Sequence, residues 1–356
     1  MAKRIIKVSG ASAIRNKELI PFTRQMSSML NAGMSILSAL ATLEEQCANP
    51  NFKKVLGHIK DKLESGEPFS EALAMFPQVF DNMYVNMVAA GEESGQFAPV
   101  LKRLAAMLDS SARLVRKVKS SMTYPVVILS IAFIIAGGLI TFVVPVFAEM
   151  FSGFGSELPL PTQILVNLSE FIKDYYFIII PVVIALLFAF KKWKATKSGR
   201  YKFDSFVLRL PVFGELIQKV SIARFCRLFS QMLTSGVPIL DALKIVAQAI
   251  GNSVLERALL SARAGIEQGN TLSSSLEGKA CLPLLMVRMI AAGEKSGRID
   301  EMLESVADSY DDEVEAMLST LTSLMEPFLM VFLGIVIGGI VMAMFLPIFK
   351  LSTVIG

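Results

Sequence analysis

The residues of this chain that could carry out chemistry are few and scattered. The single histidine, His58, has no acid–base or metal-binding partner at a recognisable spacing. The cysteines Cys47, Cys226 and Cys281 share no metal-ligand spacing, which favours a role as plain apolar residues. Residues 293–296 read Gly-Glu-Lys-Ser, but they lack the leading glycine of a phosphate-binding loop. The sequence therefore predicts no catalytic, cofactor-binding or metal-ligating residue and no nucleotide hydrolysis by this chain.

Two arginines and two glutamates are better suited to a structural role. Arg24 and Arg227 each lie on an otherwise apolar stretch, where an isolated buried charge would cost several kcal/mol. Each is therefore expected to pair with a carboxylate. We expect Glu92 to form an ion pair with Arg24, and Glu294 to form one with Arg227.

The segments that position these residues occur twice. Residues 22–33 recur about 200 positions later as residues 225–236, both with the pattern Phe-x-Arg-x-x-x-x-Met-Leu-x-x-Gly. A second pattern, Gly-Glu-x-Ser-Gly, ends at Gly95 in one copy and at Gly297 in the other. Each copy then continues into a long uncharged apolar segment. This self-similarity indicates a duplicated domain.

Composition and apolar runs indicate a membrane protein with large aqueous parts. Apolar residues make up 53% of the chain and charged residues 19%. The uncharged runs 120–148 and 327–349 exceed the roughly 20 residues that a helix needs to cross a bilayer. The run 175–190 is shorter, and it is either a third span with Tyr and Lys at its interfaces or a buried soluble helix. Two homologous repeats in one compartment require a second crossing between them, which favours the span.

Flanking charges predict the orientation. The segments 113–119 and 191–202 are rich in Lys and Arg, whereas the intervening loop 149–174 is acidic. Under the positive-inside rule both repeats are cytoplasmic, and the loop and the chain after Phe349 are external. The basic residues at the N-terminus are followed by no apolar h-region, so no cleavable signal is expected.

Within each repeat the apolar residues recur at steps of three and four, which is typical of amphipathic helices. Gly33 and Gly236 stand where a helix would end. We predict an all-α fold: a polytopic membrane protein with two homologous cytoplasmic six-helix bundles and three transmembrane helices. The predicted divisions, in chain order, are a short basic N-terminal segment (1–16), cytoplasmic domain 1 (17–119), transmembrane helix 1 (120–148), an external loop (149–174), transmembrane helix 2 (175–190), a basic cytoplasmic linker (191–218), cytoplasmic domain 2 (219–326), transmembrane helix 3 (327–349) and an external tail (350–356).

The predicted spans contain few polar features. Their central parts carry no charged residue, whereas ion and solute paths usually contain ionisable groups, so transport is disfavoured. Gly137 and Gly339 each lie beside a second glycine. These pairs offer small surfaces for close helix contact, or else they face lipid.

The two repeats differ in charge. The first is close to neutral, whereas the second has a clear excess of acidic side chains. We hypothesise that the acidic face of the second repeat meets a basic partner; the alternative is a solvated helix face. This face comprises Asp300, Glu301, Glu304 and Asp308.

The paired patterns resemble the type II secretion system F domain. Prolines bracket the apolar runs in both copies, at Pro125 and Pro145 and at Pro327 and Pro347. The resemblance covers residues 17–349. Members commonly carry a longer cytoplasmic segment before the first repeat, whereas residues 1–16 precede it here.

The resemblance implies a non-enzymatic platform in the bacterial inner membrane. Such a platform would couple a cytoplasmic hexameric assembly or retraction ATPase to the addition or removal of pilin or pseudopilin subunits, in a type IV pilus or type II secretion machine. It implies a homo-oligomer with other inner-membrane assembly proteins as partners, no cofactor and no direct contact with nucleic acid. The alternatives are a small membrane transporter or channel component and, third, a membrane signalling adaptor.

Overall fold

The computed structural model describes residues 6, 8–152 and 159–354, and within these ranges every regular element is helical. The chain divides into two compact units. One contains the residues up to Val115 together with Tyr201–Val314, and it therefore holds the polar parts of both repeats. The other contains Arg116–Arg200 and the residues from Glu315 onward, and it holds the apolar runs.

Short helices precede one long helix in the first repeat. The long helix, α7, continues from the polar part into the first apolar run without a loop. The helices of this repeat are α1 (Ala11–Lys17), α2 (Leu19–Asn31), α3 (Ile36–Gln46), α4 (Pro50–Glu64), α5 (Phe69–Ala74), α6 (Asn82–Glu93) and α7 (Phe97–Gly138).

Side-chain caps explain where several of these helices begin. Ser35 accepts the backbone N–H of Ser38 at 3.2 Å at the start of α3. Asp81 accepts the N–H of Tyr84 at 2.9 Å at the start of α6. Such caps satisfy N–H groups that have no partner within the helix. The boundaries of the helices are therefore specified locally.

The second repeat follows the same plan. Its first long helix, α11, corresponds to α1 and α2 together, and its last helix, α16, also continues into an apolar run. The α-helices that follow α7 are α8 (Val144–Ser152), α9 (Leu160–Ala195), α10 (Lys197–Val207), α11 (Phe213–Thr234), α12 (Ile239–Ala249), α13 (Ser253–Glu267), α14 (Leu272–Leu276), α15 (Leu284–Ser296) and α16 (Ile299–Val354).

The residue before α11 has an unusual backbone conformation. Val212 has φ 64° and ψ −56°, and the N–H of Phe213 donates to the carbonyl of Pro211 at 2.7 Å across it. This is a γ-turn with positive φ, a rare and strained form. At the equivalent point before α1 stands Gly10, with φ 72°. The second repeat therefore places a β-branched residue where the first has glycine.

The polar parts of the two repeats share one hydrophobic core. It contains Phe22, Phe80 and Tyr84 of the first repeat and Phe225 and Phe229 of the second, all at most 3% exposed. Burial of one such side chain contributes roughly 1.5–3 kcal/mol. The two bundles are thus parts of a single packed unit.

Polar contacts also join the two repeats within this unit. The Nη1 of Arg103 on α7 donates to the carbonyl oxygen of Thr234 at the end of α11, at 2.8 Å. The helices α6 and α12 lie against each other. These contacts link α6 and α7 of the first bundle to the second bundle.

Within residues 8–152 and 159–354, three helices are long and apolar enough to cross a membrane. They include Phe97–Phe147, Leu160–Ala195 and Ile299–Leu346, which confirms the predicted number of spans and the all-α fold class. Within the unit that holds the apolar runs, Ala136 and Val144 pack against Ile340 and Met344.

The second span is longer than the predicted run 175–190. Helix α9 begins at Leu160, so much of the segment 149–174, expected to be a loop, is helical. Its Thr162 donates to the carbonyl of Ala343, and Leu165 and Val166 pack on the apolar cluster. These positions have helical spacing, which the acidic character of the segment concealed.

Other divisions also differ from the expectation. The predicted linker 191–218 contains α10 and the start of α11. Residues 1–5 and 7 of the basic N-terminal segment, 153–158 of the expected loop and 355–356 of the expected tail lie outside the described residues.

The first span contains a π-helical turn that the sequence analysis did not predict. It covers Leu139–Val143, directly after two glycines, and the N–H of Val144 donates to the carbonyl of Leu139. This i→i+5 bond defines the π-turn. Pro145 follows at once and has no N–H to continue an α-helical ladder.

The expected close contacts through Gly137 and Gly339 are not formed within the described part of the chain. A Cβ placed on either glycine would meet no described atom within 4 Å. The packed surfaces instead use the neighbouring Ala136 and Ile340. The helix faces that meet are therefore one position away from the glycines.

Candidate functional site

The two arginines of the repeated pattern pair with the last helix of their own bundle. Arg24 on α2 lies 3.2 Å from Asp109 on α7. Arg227 on α11 contacts two carboxylates of α16, Asp308 at 2.8 Å and Asp311 at 2.5 Å. The same helix pair is thus tied by the same type of contact in both repeats.

The two pairs differ in burial. The Arg24 side chain is 63% exposed and that of Arg227 is 16% exposed, so only Arg227 requires its carboxylates to offset desolvation. Burial lowers the pKa of the Arg227 guanidinium, but its hydrogen bonds to Asp308 and Asp311 outweigh this effect and leave the pKa raised.

The predicted pairings of Arg24 with Glu92 and of Arg227 with Glu294 are wrong. Glu92 accepts the backbone N–H groups of Phe69 at 2.7 Å and Ser70 at 3.0 Å, and the Ser70 hydroxyl at 2.6 Å. The Glu92 carboxylate therefore binds the first residues of α5 and not Arg24.

Glu294 makes the same contacts in the second repeat. It accepts the N–H of Leu272 at 2.6 Å and that of Ser273 at 2.9 Å, together with the Ser273 hydroxyl. A carboxylate is well placed there because the first N–H groups of a helix lack internal partners. The glutamate of the Gly-Glu-x-Ser-Gly pattern therefore anchors a short helix in each bundle.

The glycines of that pattern permit the turn into the last helix. A Cβ on Gly293 would lie 2.8 Å from the Cα of Ile299, a distance that side chains do not reach. The closing residues Gly95 and Gly297 have φ 68° and 73°. Gly33 and Gly236 have φ 87° and 83° after α2 and α11. The repeated glycines thus set the turns between helices.

The prolines Pro125 and Pro327 do not end helices. Pro125 lies inside α7, and Pro327 lies inside α16, which continues to Val354. A proline inside a helix removes one backbone hydrogen bond, which is tolerated in membrane spans.

A groove runs along α2 and α7 in the first repeat. The Ser27 hydroxyl donates to the carbonyl of Ala98 at 3.2 Å and holds the two helices together. The groove has a volume of about 700 Å³. It is lined by Arg24, Ser27, Ser28, Asn31, Ala98, Pro99, Lys102, Ala105, Ala106, Asp109 and Arg113.

The equivalent helices of the second repeat carry the predicted acidic face. Ser230 donates to the carbonyl of Asp300 at 2.8 Å, which matches the bond made by Ser27. The Asp300 carboxylate accepts from Thr234, Glu301 is bound by Arg298, and Asp308 by Arg227. Glu304 is exposed. The ion-paired Glu301 and Asp308 are exposed as well, so the face presents three exposed carboxylates.

Sequence reasoning missed Lys102, Arg113 and Asp109. The signal was available, because Lys102 occupies the position of Glu304, and Asp109 that of Asp311, when the Gly-Glu-x-Ser-Gly patterns are aligned. Reading the two copies side by side, residue by residue, would have found the groove.

The residues considered for chemistry serve the fold where the structure describes them. His58 Nδ1 lies 2.7 Å from the carbonyl of Lys54, one turn earlier on α4, and the His58 ring packs edge-on against Phe76. Burial raises the pKa of the Cys226 thiol, which disfavours the reactive thiolate. Among the described residues, no group of His, Cys, Asp and Glu side chains could hold a metal ion.

Comparisons with known proteins connect this architecture to one family. The family model "Type II secretion system (T2SS), protein F" matches residues 22–145 and again 225–347, so each match runs from a polar bundle into its apolar run. A type IV pilus assembly protein PilC of Myxococcus xanthus is 42% identical over 98% of this chain and 83% of its own length.

Two further relatives cover nearly the whole chain. A type IV pilus assembly protein PilC of Pseudomonas aeruginosa is 38% identical over 99% of this chain and 95% of its own length. A type II secretion system protein F of Aeromonas hydrophila is 32% identical over 95% of this chain and 87% of its own length. With two matched domains and three membrane-spanning helices, the chain belongs to the type II secretion system protein F family of inner-membrane assembly proteins.

Proposed function

We propose that this chain is the inner-membrane platform of a type IV pilus machine. The observation that carries the proposal is the 42% and 38% identity, over nearly the full chain, to proteins named for type IV pilus assembly. The relative named for type II secretion is less similar, at 32%. In this role the chain couples a cytoplasmic hexameric ATPase to the assembly or disassembly of pilin subunits and acts as a non-enzymatic homo-oligomer.

The proposed orientation places both polar repeats in the cytoplasm and the C-terminus outside. The odd number of candidate spans supports this orientation, because three crossings would leave the two ends of the chain on opposite sides of the membrane. The basic residues that flank the first two spans favour a cytoplasmic location for the polar unit. A cytoplasmic motor would then reach both bundles, because they form one packed unit.

The acidic face of the second repeat is the docking site that we propose for the motor. Asp300, Glu301, Glu304 and Asp308 lie along the first turns of α16. Exposed carboxylates on one helix attract a basic surface and steer its approach. The ion pairs that Arg298 and Arg227 make with this face hold two of its carboxylates in place.

The test is reconstitution of the chain with its motor ATPase in lipid. The chain alone should hydrolyse no ATP, and its addition should change the turnover of the motor. In cells, deletion of the gene should abolish pili while secretion of folded proteins continues. Loss of secretion with intact pili would contradict the assignment to a pilus machine, and unchanged motor turnover would contradict the proposed coupling.

A further inference from the structure

The two repeats carry equivalent surfaces of opposite charge. Each is built on the same helix pair with the same ties, an Arg–Asp contact and a Ser hydroxyl bonded to a carbonyl. Along the last helix of each bundle, Lys102 of the first repeat is replaced by Glu304 of the second, and Ala106 by Asp308. The framework is shared, so the difference lies in the residues that face solvent.

The first-repeat surface, which we call the basic groove, is a cleft with cationic positions along its length. It contains the cations Arg24, Lys102 and Arg113 against the single carboxylate Asp109, which already contacts Arg24. Lys102, Arg113 and Arg24 are exposed. The local charge of the groove is therefore positive although the repeat as a whole is nearly neutral.

The shape of the groove suits an elongated ligand. Its floor is formed by short side chains, among them Ser27, Ala105 and Ala106. Along α7 the lining residues extend from Ala98 to Arg113, which corresponds to about 22 Å at 1.5 Å per residue. Small residues at a helix surface allow the backbone of a second helix to approach closely.

The spacing of the cations favours a peptide ligand over a small anion. Lys102 and Arg113 lie on one helix, and their Cα atoms are separated by about 16 Å along its axis. A single phosphate group cannot contact both. An acidic helix with carboxylates at i, i+4, i+7 and i+11 presents its charges along one face over the same length.

We propose that the basic groove of the first repeat docks an acidic helix of a protein partner other than the motor. The positive charge of the groove and its length along α7 match such a helix. The acidic face of the second repeat would repel such a helix, and the basic surface proposed for the motor would be repelled by the groove. The duplicated framework thereby gives one chain two docking surfaces that discriminate between partners by charge. This inference goes beyond the platform role, and its exclusion of the motor rests on the basic surface proposed above for the motor.

The experiment measures binding of labelled peptides to the full chain in detergent by fluorescence anisotropy at low salt. The probe is an alanine-based helix of about 20 residues with glutamates at i, i+4, i+7 and i+11. The comparison peptide has the same composition with its glutamates distributed around the helix. The double variant Lys102→Glu/Arg113→Glu is paired with the control Lys53→Glu/Lys54→Glu, which makes the same change of charge at exposed positions of α4. A milder variant, Lys102→Ala/Arg113→Ala, is included in case the reversal unfolds the bundle.

The probe with its glutamates along one helix face, the striped peptide, should bind the native chain at least about tenfold more tightly than the comparison peptide. The groove variants should lose that preference and the α4 control should retain it, with binding weakened at high salt. Equal binding of the striped peptide to the native chain and to both groove variants would overturn the proposal. Complete competition by inorganic phosphate would also overturn it, and so would a chain that binds anionic vesicles but not the peptide. Salt-sensitive self-association of the chain that the groove variants abolish would identify the occupant as a second copy and would likewise overturn the proposal.

Discussion

The carboxylate of Glu294 accepts the backbone N–H of Leu272 at 2.6 Å, across 22 positions of the chain. Leu272 is the first residue of α14, and the same glutamate also binds the next residue, Ser273. A five-residue helix has little stability of its own, because nucleation of a helix is unfavourable. The end of one helix therefore fixes the start of another.

Replacement of Glu294 by Ala should destabilise the second bundle. It leaves the N–H groups of Leu272 and Ser273 without their acceptor, and hydrogen bonds to a charged group contribute roughly 1.5–3 kcal/mol. We expect the thermal unfolding midpoint of the detergent-solubilised chain, followed by circular dichroism, to fall by several degrees. The neighbouring exposed Lys295 is the control, since Lys295→Ala removes no contact of this kind. Equal midpoints for the two variants would show that the carboxylate is dispensable.

Replacement of Arg227 by Ala should cost more stability than replacement of Arg24. Arg227 is 16% exposed and binds two carboxylates, whereas Arg24 is 63% exposed. Without the guanidinium, Asp308 and Asp311 would be left close together, and we expect a loss of roughly 1–3 kcal/mol in the free energy of unfolding, measured by urea titration. Arg257 is a poor control because its guanidinium lies 3.9 Å from the Tyr201 ring centroid. The exposed Arg288 is suitable, and an Arg288→Ala variant as unstable as Arg227→Ala would contradict the argument.

Replacement of Val212 by Gly should stabilise the protein. A positive φ at a β-branched residue costs of order 1–3 kcal/mol, which the glycine variant would avoid. The greater freedom of glycine in the unfolded chain reduces this gain in stability by about 0.5–1 kcal/mol. Val212 is 51% exposed, so little packing is lost. The unfolding midpoint should rise by a few degrees. Val115 is 61% exposed but lies in α7, so Val115→Gly should instead lower the midpoint. A fall with both variants would mean that the γ-turn is not strained.

The proposed orientation predicts the response of topology reporters. A reporter that is active only outside the cytoplasm should signal when fused after Gly155 and remain silent after Gly199 or Gly297. The reason is that one span precedes Gly155, whereas two precede the other positions. Expression of each fusion is checked with an antibody against the reporter. Activity after Gly199 would exclude the orientation with both repeats in the cytoplasm.

Charge reversal at the acidic face should weaken docking of the motor. Exposed ion pairs contribute about 0–1 kcal/mol each, so Glu301→Lys/Glu304→Lys should reduce affinity up to roughly tenfold at low salt and have little effect at high salt. Affinity is measured by surface plasmon resonance with the chain in nanodiscs. The matched control is Glu45→Lys/Glu93→Lys, which makes the same change of charge at exposed positions of the first repeat and should leave motor binding unchanged. Unaltered binding of the acidic-face variant at low salt would refute this docking face while leaving the platform role intact.

The sequence predicts those features that are specified locally. The repeated patterns and apolar periodicity indicated helices, a duplication and three spans, because glycine stops and hydrophobic runs act over a few residues. The partners of Arg24 and Arg227 were mispredicted, because periodicity shows that a helix has a buried face but not which helix covers it. Glu92 and Glu294 were available charges of the right sign, yet their contacts with α5 and α14 depend on how the bundle closes.

The early start of α9 was missed for a different reason. Charged and amide side chains between Leu160 and Asp174 resemble a loop in composition, although Thr162, Leu165 and Val166 share one helix face. Composition averaged over the segment hid that face. The strained Val212 could not have been foreseen, since nothing in the residue type favours positive φ.

The π-turn at Leu139–Val143 breaks the internal symmetry of this duplicated chain. A π-turn accommodates one additional residue, so side chains beyond it are rotated by about 100° relative to an uninterrupted α-helix. Helix α16 runs through the equivalent region as continuous α-helix. After this point, residues at matching positions of the two duplicated spans therefore lie on different faces of their helices, and they contact different surroundings. The prolines that bracket the two apolar runs are equally spaced, Pro125 to Pro145 and Pro327 to Pro347, so the π-turn involves no inserted residue. The two copies differ in the membrane through the winding of the helix and not through its length.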